Sequence, residues 1–228
     1  MPLLLFDIDG TLVLTGGAGG RAMTRAFRDV FGVDDAFRGI PMPGRTDPLI
    51  VADAVTRAGV TADPTRLEAF RTRYHACLRE EIAYDGRGRK GVMPGIRALL
   101  DALAARDDVL LALLTGNYTE AARIKLEYFG LWRYFACGAF GEEAPARNDL
   151  VPIALARALA CGGSADRLGR VVVIGDTPLD VACAHSAGAL AVGVATGGHS
   201  AEELAQAGAH EVFEDLSETS RFLALLET

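Results

Sequence analysis

Two carboxylates one residue apart follow a short apolar run near the amino terminus, where Leu3-Leu4-Leu5-Phe6 leads into Asp7-Ile8-Asp9-Gly10-Thr11. In an extended chain residues i and i+2 point to one face, so Asp7 and Asp9 repel each other unless a cation lies between them. Two hard oxygen donors at close range suit Mg²⁺. The competing reading is an ordinary Asp-Gly turn closing a strand. Further polar groups end other apolar runs. Leu114-Thr115-Gly116-Asn117 sets a hydroxyl and an amide about a glycine that permits close backbone approach, an arrangement able to hold phosphate. Thr and Asn serve equally as turn and cap residues. Ile174-Gly175-Asp176-Thr177-Pro178-Leu179-Asp180 sends one carboxylate out of a strand and a second about one turn further on, with Pro178 suited to the first turn of a helix.

The elements that must position these groups alternate. Apolar runs at Leu3 to Phe6, Val109 to Leu114, Ala136 to Phe140, Val171 to Ile174 and Leu190 to Val194 read as strands. Helical patterns lie at Ile96 to Ala105, Thr119 to Phe129, Leu150 to Leu159, Leu179 to Ala187 and Ala201 to Ala207, with a short strand near Val212 and a closing helix over Leu216 to Leu226. The pattern predicts a doubly wound α/β fold, a parallel sheet covered on both faces. Between the first two strands the alternation breaks, and three helical patterns follow one another without a convincing strand: Ala22 to Phe31, Leu49 to Ala58 and Leu67 to Ile82. An inserted α-helical cap over residues 15–90 explains this, with the core formed by 1–14 and 91–228. Its expected joints are Gly16 to Gly20 and Gly86 to Gly91. The first lacks the Lys-Ser or Lys-Thr of a nucleotide-binding loop and reads as a hinge. Arg87, Arg89 and Lys90 read as a solvated linker.

Composition narrows the function classes. Of 228 residues half are hydrophobic, enough for a sizeable core, and the formal charge of −7 argues against general affinity for nucleic acid or an anionic membrane. An anionic substrate would need local cations. Cys77, Cys137, Cys161 and Cys183 show no Cys-x-x-Cys spacing, and His75, His185, His199 and His210 no ligand spacing. The amino-terminal apolar run is too short to span a bilayer and lacks the flanks of a signal peptide, so a cytoplasmic location is expected.

Ligands of open parallel sheets bind outside the carboxyl ends of the strands, where strand order reverses. With the first strand central between the second and fourth, Asp7, Asp9, Thr115 and Asp176 would meet in one crevice. These residues resemble the haloacid dehalogenase superfamily, and within it the phosphatases similar to phosphoglycolate phosphatase that carry a helical cap. Asp7 to Thr11, Leu114 to Asn117 and Gly175 to Asp180 match its first, second and fourth motifs in order. The resemblance implies a Rossmann-like core and a phosphoric monoester hydrolase acting on a small phosphorylated metabolite through an aspartyl phosphate. Asp7 would be the nucleophile and Asp9 the general acid and base. Thr115, Gly116, Asn117 and Gly10 would bind phosphate, while Asp7, the Asp9 carbonyl and Asp176 would hold Mg²⁺ with Asp180 in support.

The third motif departs from the family pattern, which places a basic residue, usually lysine, after the third strand. Here the chain reads Gly141-Glu142-Glu143-Ala144-Pro145-Ala146-Arg147-Asn148-Asp149. Arg147 is the favoured substitute, since a guanidinium can bridge a carboxylate and a phosphate oxygen. Lys125 is the other candidate, although its helical setting would let it pair simply with solvent or Glu127. In Gly44-Arg45-Thr46-Asp47, a loop opening a helix, Arg45 either faces the leaving group or is a surface charge. Three alternatives stay open: a 2-haloacid dehalogenase, which needs neither Mg²⁺ nor an acid at Asp9; a sugar phosphate mutase; and an inactive phosphate-binding regulator. Substrate and oligomeric state are not readable from the sequence.

Overall fold

The computed structural model describes residues 1–84, 88–161 and 169–227. Along the chain lie β1 (Leu3–Phe6), β2 (Val13–Thr15), α1 (Ala18–Phe31), α2 (Asp47–Ala58), α3 (Pro64–Ala83), β3 (Lys90–Val92), α4 (Ile96–Ala104) and β4 (Leu110–Leu114). They are followed by α5 (Thr119–Tyr128), β5 (Cys137–Ala139), α6 (Leu150–Ala160), β6 (Val171–Gly175), α7 (Pro178–Ser186), β7 (Leu190–Val194), α8 (Ala201–Gln206), β8 (Glu211–Phe213) and α9 (Thr219–Ala224).

Six of the strands form a parallel sheet in the order β5-β4-β1-β6-β7-β8. All four side chains of β1 are fully buried, as expected of a central strand covered on both faces. Alternation divides them: Leu4 and Phe6 join Ile96, Leu99 and Leu103 of α4 on one side, while Leu3 and Leu5 join Leu150 and Ala154 of α6 and Val181 of α7 on the other. Register then places the chemistry. Phe6 pairs with Leu113 on one side and Ile174 on the other, so Asp7 leaves the sheet level with Leu114 and Gly175. The expected central position of the first strand is therefore the observed one.

Between β1 and β4 the insertion builds its own apolar cluster. Phe27 and Phe31 of α1 pack with Phe37 and with Phe70 of α3, ring centroids of Phe27 and Phe31 lying 4.5 Å apart. That cluster rests on the core through Tyr118, Ala121 and Ile124 beside and within α5. The span is not free of strands, as the sequence had implied: β2 and β3 pair antiparallel, Val13 opposite Val92 and Thr15 opposite Lys90. Three-residue strands containing Gly91 are too short to show a period of two. Gly16 and Gly17 lie in the turn before α1, but Gly19 and Gly20 are helical, so the entry joint is shorter than the glycine run. Of the return joint, Gly86 and Arg87 lie outside the described residues. The closing helix is confined to Thr219–Ala224 because Leu216 turns into the core earlier, between β8 and α9.

Phe27 is fully buried at the centre of the insertion's aromatic cluster. Phe27→Ala is expected to cost about 3–5 kcal/mol through lost burial and an unfilled cavity, read as a fall in the urea midpoint.

Candidate active site

The carboxyl ends of β1, β4 and β6 carry Asp7, Gly116, Asn117 and Asp176 into one crevice beneath the helical insertion, with Thr115 buried just behind. Arg147 reaches the same place from the short turn Arg147–Asp149 that precedes α6. Its Nη2 donates to Asp7 Oδ1 at 2.8 Å and to Asp180 Oδ1 at 2.5 Å, and Nη1 to the Gly44 carbonyl at 3.3 Å. Nε has no protein partner among the described residues. Burial opposes the arginine's charge, but Asp180 and Asp7 outweigh it and raise the guanidinium above its ordinary pKa.

Lys125, the other candidate for the basic role, forms a second cationic contact. It is 4 % exposed and does not pair with Glu127, which binds Arg123 instead. Lys125 Nζ donates to Asp9 Oδ2 at 2.5 Å and to Asn117 Oδ1 at 2.6 Å. Asn117 Nδ2 also reaches Asp9 Oδ2, at 2.9 Å, and the Thr115 hydroxyl at 2.7 Å. Thr115 is fully buried beneath Gly116 and Asn117, which line the crevice. Each of the two aspartates after β1 thus has its own basic partner.

Asp7, Asp176 and Asp180 each offer a carboxylate oxygen within 4.8 Å of the others. Burial pushes Asp7 up to about 6 against the pull of Arg147, and burial together with Asp7 and Asp180 pushes Asp176 up to about 8. Such carboxylates are short of positive charge, and hard anionic oxygens so placed fit a divalent cation of the Mg²⁺ type. Asp180 is less available than the other two. Arg147 takes one of its oxygens, while the Thr177 amide and hydroxyl donate to the other at 3.1 and 2.7 Å, closing a capping box on α7. Gly10 is required by geometry: its φ is +86°, and a Cβ there would lie 2.3 Å from Asp176 Oδ2.

The insertion meets this crevice through the start of α2. The Asp47 amide donates to the Gly116 carbonyl at 2.7 Å, and Asp47 Oδ2 accepts the Tyr118 amide at 2.9 Å. Gly116 leaves no room for a side chain, since a Cβ would stand 2.0 Å from the Arg45 carbonyl. Arg45 itself lines the crevice, but its Nη2 pairs with Asp53 at 2.7 Å and its Nη1 with the Pro41 carbonyl at 3.0 Å. The crevice has a volume of about 500 Å³, with Asp7, Asp9, Asn117, Arg147 and Asp176 toward the core.

Sequence reasoning passed over Asp47 and underrated Lys125, although each carried a signal. Asp47 stands at i−3, i−4 and i−7 from the buried Ile50, Val51 and Ala54, and Lys125 at i+3 and i+4 from the buried Ala122 and Ala121. A charge set on the apolar face of a helix calls for a buried partner.

Residues 4–185 match the family model of haloacid dehalogenase-like hydrolases. The chain belongs to that family. It is 34 % identical to a phosphoglycolate phosphatase of Rhodospirillum rubrum, over 96 % of this chain and 90 % of the relative. A phosphoglycolate phosphatase of Cereibacter sphaeroides is 28 % identical over 82 % of both chains. The crystal structure of CbbY from Rhodobacter sphaeroides in complex with phosphate shares the fold, with a TM-score of 0.64 and 21 % identity over 95 % of each chain. No helix among the described residues is long and apolar enough to cross a membrane.

Two outcomes follow from the contact between α2 and the core. Burial pushes Asp47 up from 3.8 to about 7, so the folded chain keeps a proton that the unfolded chain releases at lower pH. Its contribution to stability therefore falls as pH rises through that interval, and Asp47→Asn should flatten the slope and raise Tm at pH 8 by a few degrees. Gly116→Ala should displace the Arg45 loop and lower kcat/KM at least about tenfold, while urea denaturation shows the fold retained.

Proposed function

We propose that the chain is a Mg²⁺-dependent phosphatase that hydrolyses a small phosphomonoester through an aspartyl phosphate on Asp7. The observation that carries this reading is the pairing of Asp7 and Asp176, from adjacent parallel strands, with a buried arginine on the first of them. Arg147 holds one oxygen of Asp7, and no described residue donates to the other, which leaves it for attack on phosphorus. A phosphomonoester is itself anionic, so attack requires donors that meet the charge on the phosphoryl oxygens. Arg147 Nε, which has no partner among the described residues, is a donor this chain offers.

Asp9 serves as the acid toward the departing alcohol and then as the base toward water. Its side chain is 43 % exposed and held through Oδ2 by Lys125 and Asn117, so its second oxygen stays within reach of the cavity. Asp7, Asp176 and the Asp9 main-chain carbonyl would hold Mg²⁺, with Asp180 and Arg147 as scaffold. Bound there, the ion would neutralise and orient the phosphoryl oxygens. Residues 15–90 act as the cap that excludes water. Haloacid dehalogenation has no use for a proton on Asp9 or for Asp176, so the phosphatase reading is preferred. The relatives named phosphoglycolate phosphatase support the same class of activity.

Release of phosphate from an aryl phosphate, followed with Mg²⁺ and with chelator, tests the proposal. Wild-type turnover should need the metal, and Asp7→Asn should fall to background. Asp9→Asn should lose about 10²–10⁴ in kcat with little change in KM. Arg147→Ala should lower both turnover and Tm, since it leaves Asp7 and Asp180 buried without their cation. Metal-independent hydrolysis, or full activity in Asp7→Asn, would sink the assignment.

A further inference from the structure

The insertion's side of the cavity is built for carbon. Leu14, Met23, Met42, Pro43, Ile50 and Tyr74 face it from β2, α1, the loop before α2, α2 and α3. The cations that reach the same space are committed elsewhere: Arg147 to Asp7 and Asp180, Lys125 to Asp9 and Asn117, Arg45 to Asp53 and the Pro41 carbonyl. Arg89 stands exposed at the rim. The remaining acidic group on that wall is Asp47, which accepts the Tyr118 amide and offers a carboxylate no cation.

Room on this side comes from glycine. Gly19 and Gly20 belong to the first turns of α1 with ordinary helical φ, so no backbone requirement places them there. A Cβ at Gly20 would meet only Met42 Sδ, at 4.0 Å, and one at Gly19 would approach Lys125 Nζ no closer than 3.7 Å. Gly20 holds space open beside the Met42 thioether, which adapts readily to irregular apolar groups, and Gly19 does so beside Lys125 and Tyr74.

Resting on the phosphatase reading, we infer that the alcohol portion of the substrate is an uncharged apolar group of several carbons, seated against Met23, Met42 and Ile50, and not a short carboxylate such as glycolate. The pocket therefore separates this chain from the substrate in its relatives' names.

Two measurements on the Mg²⁺-loaded protein test this. Binding of ethyl, butyl, hexyl and benzyl phosphonates, which resist hydrolysis, is compared by calorimetry with phosphonoacetate. Turnover is measured on the matching phosphate esters and 2-phosphoglycolate. Affinity and kcat/KM should each rise about two- to fourfold per added methylene until the cavity is full, with the carboxylated members weakest. Gly20→Val should end the rise at a shorter chain, and Met42→Lys should shrink the butyl-to-carboxylate ratio at least about tenfold. A flat or falling series, or tighter phosphonoacetate, overturns the inference. Rising phosphonate affinity with no hydrolysis of any ester keeps the ligand class and overturns the phosphatase reading instead.

Discussion

Everything at this site depends on holding like charges together where β1 and β6 end. Three buried carboxylates within 4.8 Å of one another cannot all stay ionised without compensation. A buried arginine supplies part of it, and its planar fork joins Asp7 from one strand to Asp180 at the start of α7. The same residue touches the Leu114 and Gly44 carbonyls, so one side chain ties together the ends of two strands, the start of α7 and the loop ahead of α2. Arginine suits this role because it stays protonated when buried, whereas a lysine in the same surroundings could lose its proton. The negative charge that remains unbalanced is what would draw a divalent cation to the site.

The arrangement also explains why two basic residues are present where the family pattern supplies one. Asp7 and Asp9 start on the same face of an extended chain, yet they end with separate partners, Arg147 and Lys125. The strand ends at Phe6, so neither aspartate is bound to its alternation and the two carboxylates need not share a cation. Asn117 couples the Lys125 and Asp9 pair to Thr115. Two carboxylates separated by one residue of sequence thereby face different cations.

The sheet was legible from sequence because its strands are buried on both faces and read as unbroken apolar runs; β1, β4, β6 and β7 all stand where those runs lie. The motif residues were legible because they end such runs. What stayed hidden depends on tertiary neighbours. Lys125 sits in a helix whose partner, Asp9, is 116 residues away, and Asp47 meets Tyr118 across 71. Arg45 was equally ambiguous, since only the folded loop reveals that Asp53 takes its guanidinium. The β2–β3 ribbon escaped because three residues carry no readable period.

Gly19 and Gly20 have a consequence for how this enzyme can change. Glycine is a poorer helix former than alanine, and these two supply no turn or cap in return. The helix gives up stiffness near its start to leave the chamber wide. A single substitution there would strengthen the helix and narrow the chamber together, since the backbone already accepts a side chain at both places. Chamber width and helix stability are therefore opposed at these two positions, and the narrower form is the more stable protein.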